Sequence, residues 1–598
     1  MVDDTNMADD TPTFENPIIR GFNPDPTICV VPATQSTPTT YFLCTSTFEY
    51  FPSCPIYTST DLINWKLIGH ALTRRSQIEM RTVEPGAGSW ASTLRYRPSQ
   101  KRWFLANGVF QRYRPSSDER IFPRGFYVYT DNIWDDSAWS DPVYFDNPGF
   151  DQDLFWDYDD KVYLSTTMRI IDRRPGSKLK DFGIHISEIE LSTGRTLTPP
   201  KVIRESPHGI AEGSHILRRG AYYYLFTAEG GTEAGHQEWV FRSREGVFGP
   251  WAAQGQPLWY NGPNEGVQRT GHADVFEDDK GDWWAVLLGV RPTKDASGEF
   301  IEPQMGRETF LVKVDWLDDW PVFNEGRNIT LTTNGRRFTE QAVTQFTSGK
   351  SKSKLEEVKW KADLDREDLE LGWYQKNTPL KACYSLTQKP GCLRLYGNCY
   401  HLGSPEAPAM LLRKQSSYFE RFEVKMRFDP SSSRYEAGVV LWWSQYSHAT
   451  CSLVLKKNPS GKLVRTIKWQ VPGGTPGSYR THYPFFDAQD VDPMIPDDMD
   501  IFAPEGADTM DTFAAPDEVI TMRIEADDDW YVLYALTKDH MARARINSSD
   551  LTVMPSIGGA FCGAMFGIYS FGVGEPVLDP ADFFDISISD FKYGEQCI

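Results

Sequence analysis

The chain has 598 residues, 40% of them hydrophobic and 14% aromatic, and its 62 lysines and arginines face 82 aspartates and glutamates for a formal charge of −20. At roughly 150 residues per domain this length allows up to about four domains, and the acidic balance excludes a nucleic-acid surface, which needs a basic footprint to neutralise phosphate. No stretch approaches the roughly 18 apolar residues of a membrane helix, so no membrane partner is expected.

The first 13 residues are acidic and polar and read as a flexible N-terminus. A secretory leader needs a basic and then an apolar run, so this start predicts a cytoplasmic protein, or a secreted one if a leader was removed. Nine scattered cysteines, an odd number without a CxxC pair, fit reduced thiols better than a disulfide framework.

From residue 14 onward a repeat emerges. Five apolar, aromatic-rich segments read as buried strands: TTYFLCTST (Thr39–Thr47), KRWFLANG (Lys101–Gly108), KVYLSTT (Lys161–Thr167), AYYYLFTA (Ala221–Ala228) and DWWAVLLG (Asp282–Gly289). Upstream of each lies a shorter segment, marked by Asp25, Ala91, Asp151, Glu212 and His272, at steps of 66, 60, 61 and 60 residues. Downstream comes a third strand ending in a polar turn that often carries Trp, as at Trp65, Trp139 and Trp320. Three or four strands per unit, repeated five times without helical periodicity, predict an all-β, five-bladed β-propeller over residues 14–345. Equivalent positions on innermost strands face one channel, so Asp25, Trp90, Asp151, Glu212 and His272 are expected to converge there. Taken singly, Asp25 between two prolines is better explained as a turn residue, and His272 as a core histidine.

The Ser/Gly/Lys-rich segment 346–358 reads as a linker, and residues 359–598 alternate as β-strands do. In FERFEVKMRF, Phe422, Val424 and Met426 would face one side and Glu423, Lys425 and Arg427 the other, which predicts a C-terminal β-sandwich. An acidic stretch, 485–518, reads as a solvated insertion.

Read together, several motifs resemble glycoside hydrolase family 43, in particular its two-domain β-xylosidase branch. They are Asn16-Pro17 through Gly21-Phe22-Asn23-Pro24-Asp25-Pro26-Thr27, the run Thr47-Phe48-Glu49-Tyr50-Phe51-Pro52, Gly149-Phe150-Asp151, Glu212-Gly213-Ser214-His215, Thr270-Gly271-His272-Ala273-Asp274 and Gly306-Arg307-Glu308-Thr309. The resemblance implies an inverting glycoside hydrolase with Asp25 as general base, Glu212 as general acid and Asp151 as the charge that raises the acid's pKa. It makes Phe48 and Trp90 walls of a sugar pocket, with Phe561 closing it from the second domain. Arg307 would grip substrate or hold Asp151 and Glu212, and His272 would contact a water or a calcium ion near the channel axis. No cofactor is required by this reading, although a structural Ca2+ in the channel is allowed. The implied activity is an exo-acting β-D-xylosidase on xylooligosaccharides, with an α-L-arabinofuranosidase, or a bifunctional enzyme on arabinoxylan fragments, as the alternative. A propeller that binds glycans without cutting them is a reading from another class, and a homo-oligomer is compatible with any of them. Two positions depart from the pattern: Ser92 and Ser214 stand where the family usually has proline.

Overall fold

A computed structural model of the chain describes residues 13–111, 123–170, 182–295, 297–334, 358–458, 460–483, 513–555 and 561–591. Most of the expected flexible N-terminus (1–12), nearly all of the expected linker (346–357) and most of the acidic stretch (485–512) lie outside these residues.

Five antiparallel sheets follow one another along the chain. Their inner strands are Thr27–Val31, Gly88–Arg97, Phe150–Trp156, Ala211–Arg219 and Gln268–Glu277, and each lies against the inner strands of two neighbours, closing a ring of blades I to V. The anticipated apolar segments form the second strands: Thr40–Cys44, Arg102–Phe110, Val162–Arg169, Tyr222–Glu229 and Trp283–Val290. Packed between adjacent blades, these strands bury both faces, which is why they read as near-continuous apolar runs. Leu43, Leu105, Leu164 and Leu225 share one register position and are fully buried. Blade III carries an outer strand, Lys201–Glu205, paired to Phe182–Glu190, that the sequence pattern does not announce.

The ring is tied by its N-terminus. Thr13–Glu15 pairs with Thr332–Asn334, so Thr13, expected to be the last flexible residue, already belongs to a strand. Next to it the Asn16 amide donates to Leu311 O at 2.8 Å and accepts from Leu311 N at 2.9 Å, fastening the chain start to blade V.

The channel is filled by one guanidinium. Arg95, four residues along the inner strand of blade II from Ala91, points to the axis by the two-residue period of a strand. Its Nε donates to Asp153 Oδ1 of blade III at 3.0 Å, its Nη1 to Asp274 Oδ2 of blade V at 2.6 Å and to Thr27 Oγ1 of blade I at 3.4 Å, and its Nη2 lies 3.0 Å from His215 Nδ1 of blade IV. All five blades therefore meet at one side chain. Burial alone would favour a neutral Arg95, but the carboxylates of Asp153 and Asp274 outweigh it and hold the proton more firmly than usual.

Residues from 358 to 590 build two antiparallel sheets, one of eight strands and one of six. In Glu420–Arg427 the side chains of Phe422, Val424 and Met426 enter the core while Glu423, Lys425 and Arg427 turn outward, as the alternation predicts. The two domains share a small sheet, in which Tyr50–Phe51 of the propeller pairs with Gln375–Lys376 of the sandwich. Among the described residues no helix is long and apolar enough to cross a membrane, and all eight described cysteines are unbridged.

Arg95→Met leaves Asp153 and Asp274 as uncompensated buried carboxylates, and we expect a loss of about 3–5 kcal/mol in chemical denaturation. Adding Asp153→Asn and Asp274→Asn in the same chain should recover part of that loss; no recovery would show that the hub is not electrostatic.

Candidate active site

At one mouth of the channel the inner strands are bulged at equivalent places. In blades II to V two residues face one on the second strand, at Ala91-Ser92, Asp151-Gln152, Gly213-Ser214 and His272-Ala273, and Asp25-Pro26 precedes the first pair of blade I. The first residue of each pair has a left-handed φ: 52° at Asp25, 32° at Ala91, 53° at Asp151, 59° at Gly213 and 54° at His272. Asp, Gly and His tolerate that region, and such bulges re-aim side chains. This corrects the repeat alignment by one residue in blade IV: Gly213 is the equivalent of Asp151, and Glu212 is the equivalent of Phe150 and Trp90.

The bulges bring Asp25, Asp151 and Glu212 together from blades I, III and IV, all largely withdrawn from solvent. Asp151 Oδ2 accepts from Gly213 N at 2.9 Å, which seats it against the backbone that carries Glu212. Burial raises the Glu212 carboxyl to about 7, with the Asp25 charge adding to the rise and Arg307 opposing it. Asp151 is also pushed well up, first by burial and then by Glu212 and Asp25. Asp151 and Glu212 repel one another, and Asp25 adds to the rise of both.

Arg307 Nη1 donates to Asp25 Oδ1 and to Thr232 Oγ1, each at 2.9 Å, while Nε and Nη2 reach Phe561 O at 3.4 Å. Its salt bridge thus goes to Asp25 rather than to Asp151 or Glu212. The preceding Gly306 has φ 64°, and a Cβ there would stand 2.5 Å from Cys562 O, so only glycine lets the sandwich segment approach this closely. Phe48, Trp90 and Phe561 face one another beside the acids, with ring centroids 5.7 Å apart for Phe48 and Phe561 and 6.4 Å for each of them to Trp90. Phe110 at 4.6 Å and Phe150 at 5.5 Å back the Trp90 ring.

His272 Nδ1 lies 3.8 Å from Asp25 Oδ1, and burial lowers its pKa to about 3, so the ring is neutral. A calcium ion needs six to eight oxygen ligands. The channel carboxylates of Asp153 and Asp274 are both held by Arg95, whose own charge stands among them, and the residues present do not fit a dication there. Among the described residues the one cluster of three close metal-ligand side chains is Asp527, Asp528 and Asp529 of the sandwich. Ser92 and Ser214, the departures from the proline pattern, use their hydroxyls: Ser92 Oγ is 2.9 Å from Cys54 Sγ, and Ser214 Oγ donates to Ser165 Oγ at 3.0 Å. Arg95 and Thr232 carried no motif of their own.

The propeller matches the family described as Glycosyl hydrolases family 43 over residues 14–321, and residues 361–476 match the Beta xylosidase C-terminal Concanavalin A-like domain. A non-reducing end alpha-L-arabinofuranosidase of Bacteroides ovatus is 30% identical over 583 residues, covering 96% of this chain and 94% of its own length. A beta-xylosidase of Bacillus subtilis is 31% identical over 442 residues, covering 72% and 77%. The crystal structure of a xylan beta-1,4-xylosidase from Bacillus halodurans superposes with a TM-score of 0.77 at 25% identity, over 96% of this chain and all of that one.

The electrostatics of the three acids yield a measurement independent of any substrate. Followed by its infrared carboxyl band, Glu212 should titrate near pH 7, and Asp25→Asn should lower that midpoint by about one unit or more, because a like charge is removed from a buried neighbour. An unchanged midpoint would mean that burial alone sets it.

Proposed function

The chain belongs to glycosyl hydrolase family 43, and from that premise we propose that it is an inverting, exo-acting glycosidase that removes a terminal β-D-xylose from xylooligosaccharides. The observation that carries this reading is a trio of converging carboxyls, Asp25 and Asp151 buried and Glu212 raised to about 7, beside an aromatic enclosure to which both domains contribute.

In the proposed reaction the protonated Glu212 gives its proton to the glycosidic oxygen as the bond to the anomeric carbon breaks. Asp25 takes a proton from a water that attacks the opposite face of the sugar, so one carboxylate is protonated as the other is released. Arg307 orients Asp25 through its salt bridge. Asp151, raised by burial and by Glu212, shares the negative charge of the pair and so keeps a proton available on Glu212 at neutral pH. Phe48 and Trp90 offer flat faces to the pentose, and Phe561 blocks the pocket beyond it, which favours release of single sugars from a chain end. Unbridged cysteines support a reducing, cytoplasmic setting, where oligosaccharides rather than polymer would be the substrate.

The second reading is an α-L-arabinofuranosidase. It is favoured by the Bacteroides ovatus relative, which matches nearly the whole chain and carries that name. A lectin is disfavoured, because binding alone has no use for a buried carboxyl near neutrality.

Rates on nitrophenyl β-D-xyloside and nitrophenyl α-L-arabinofuranoside rank the two enzymes, and binding without turnover would support the lectin. For Glu212→Ala we expect a loss of about 10²–10⁴-fold on oligosaccharides and a much smaller one on nitrophenyl glycosides, whose leaving group needs no proton. The sign of the pH effect follows from the acid form being the active one: activity is present below about pH 7 and falls as pH rises through it. An alkaline limb that persists in Glu212→Ala would remove Glu212 from the role of acid. Proton NMR of early product should show the inverted anomer, and a retained one would sink Asp25 as base.

A further inference from the structure

The pocket has three aromatic walls that come from three distant places: Phe48 from a loop of blade I, Trp90 from the inner strand of blade II, and Phe561 from the sandwich. Nothing in the reaction itself fixes their mutual placement. A buried carboxyl that the chemistry does not use stands behind all three.

Glu49 follows Phe48 and is 3% exposed. Its Oε2 accepts from Gly86 N at 3.1 Å, and Gly86 O in turn accepts from Trp90 Nε1 at 2.9 Å. The same oxygen accepts from Cys562 Sγ at 3.4 Å, the residue that follows Phe561. The backbone of Glu49 completes the junction: its carbonyl accepts from Asn377 N of the sandwich at 2.7 Å. Phe48 and Ser89 exchange backbone hydrogen bonds at 3.0 and 2.9 Å, and a Cβ on Gly88 would stand 2.2 Å from Phe48 O, so the two wall-bearing segments are in direct backbone contact.

We propose that Glu49 is the positioning residue of the sugar pocket, its single carboxylate oxygen fixing Phe48, Trp90 and Phe561 relative to one another by joining the segments that carry them. This rests on the reading of that enclosure as the pentose site. Glu49 touches neither the reacting atoms nor the three acids, so it acts through the walls. Lys376, whose charge acts on Glu49, makes its hydrogen bonds elsewhere: its Nζ donates to the carbonyls of Ser404, Pro405 and Glu406 at 2.6, 3.2 and 3.4 Å. Burial pushes the Glu49 carboxyl up to about 7, opposed by its backbone amide donors, Cys562 and Lys376. A carboxyl kept in so dry a place with amide and thiol donors rather than a direct ion pair is held for its geometry.

The test uses the full chain and two pairs of variants, with xylose binding followed by tryptophan fluorescence and turnover on nitrophenyl xyloside. Glu49→Ala should weaken xylose binding and raise KM by about tenfold while kcat stays within about threefold, and Glu49→Gln, which keeps an oxygen in place, should restore most of the affinity. Cys562→Ala should shift KM in the same direction and Cys562→Ser should rescue it, which keeps the proposal open to refutation should Glu49→Ala not fold. Phe48→Ala and Phe561→Ala serve as reference arms that lose affinity directly. If these reference variants bind xylose as the wild type does, the pocket reading fails and takes this proposal with it. If they lose affinity but Glu49→Ala and Cys562→Ala keep wild-type affinity and KM, the proposal alone is overturned, and any fall in thermal stability would then mark Glu49 as structural.

Discussion

The propeller depends on the neutralisation of its own axis. Inner strands from five blades bring Thr27, Arg95, Asp153, His215 and Asp274 to one level of the channel, and two carboxylates there would repel each other in a dry interior. One guanidinium with five fixed donors answers both and touches the remaining two blades as well. The planar fork of arginine suits this role, since a lysine ammonium would meet the same acids from a single point. The axis is closed by a side chain bonded to every blade, and the bulged layer of acids sits on that closed floor.

Much of this was legible in the sequence. The apolar second strands betray themselves because blade packing covers both faces, and the period of about 60 residues is visible because each blade repeats the same backbone path. Glu420–Arg427 shows its face by plain alternation. What escaped was whatever depends on one residue of offset or on partners from different blades. Glu212 was aligned with Asp151 because both are acids, whereas the backbone aligns Asp151 with Gly213, and only the pairing register reveals it. Arg307 was expected to grip substrate or to hold Asp151 and Glu212; its salt bridge goes to Asp25, and Phe561 O and Thr232 fix the fork beside Gly306, where the sandwich backbone approaches closely. Arg95 offered no local signal, since its four partners are spread from Thr27 to Asp274.

The second domain reaches the candidate site for a related reason. A propeller mouth is open by construction, and its blade loops cannot easily cover one side of it without long insertions. Here the sandwich contributes a short segment, Phe561-Cys562-Gly563, that lies against Met305 and Gly306 and delivers a carbonyl to Arg307 and a ring to Phe48. The small shared sheet between Tyr50–Phe51 and Gln375–Lys376, with Trp442 Nε1 on Tyr50 Oη at 2.9 Å, holds that segment's domain in register with the propeller.

Charge along the axis adds to burial in raising two of the acids. Asp153 and Asp274 are held by Arg95, and Asp25 is held by Arg307, so each of these three carboxylates has a guanidinium at bonding distance. The bonds of those two guanidinium groups do not extend to Asp151, which is buried, or to Glu212, which is partly so, and these two press on each other. For such a pair the less costly state is one proton between two carboxyls. Two arginines are thus distributed over five acids, three of them bonded to a guanidinium and two left to each other, and Glu212 reaches about 7 because burial and the Asp25 charge outweigh the opposing charge of Arg307.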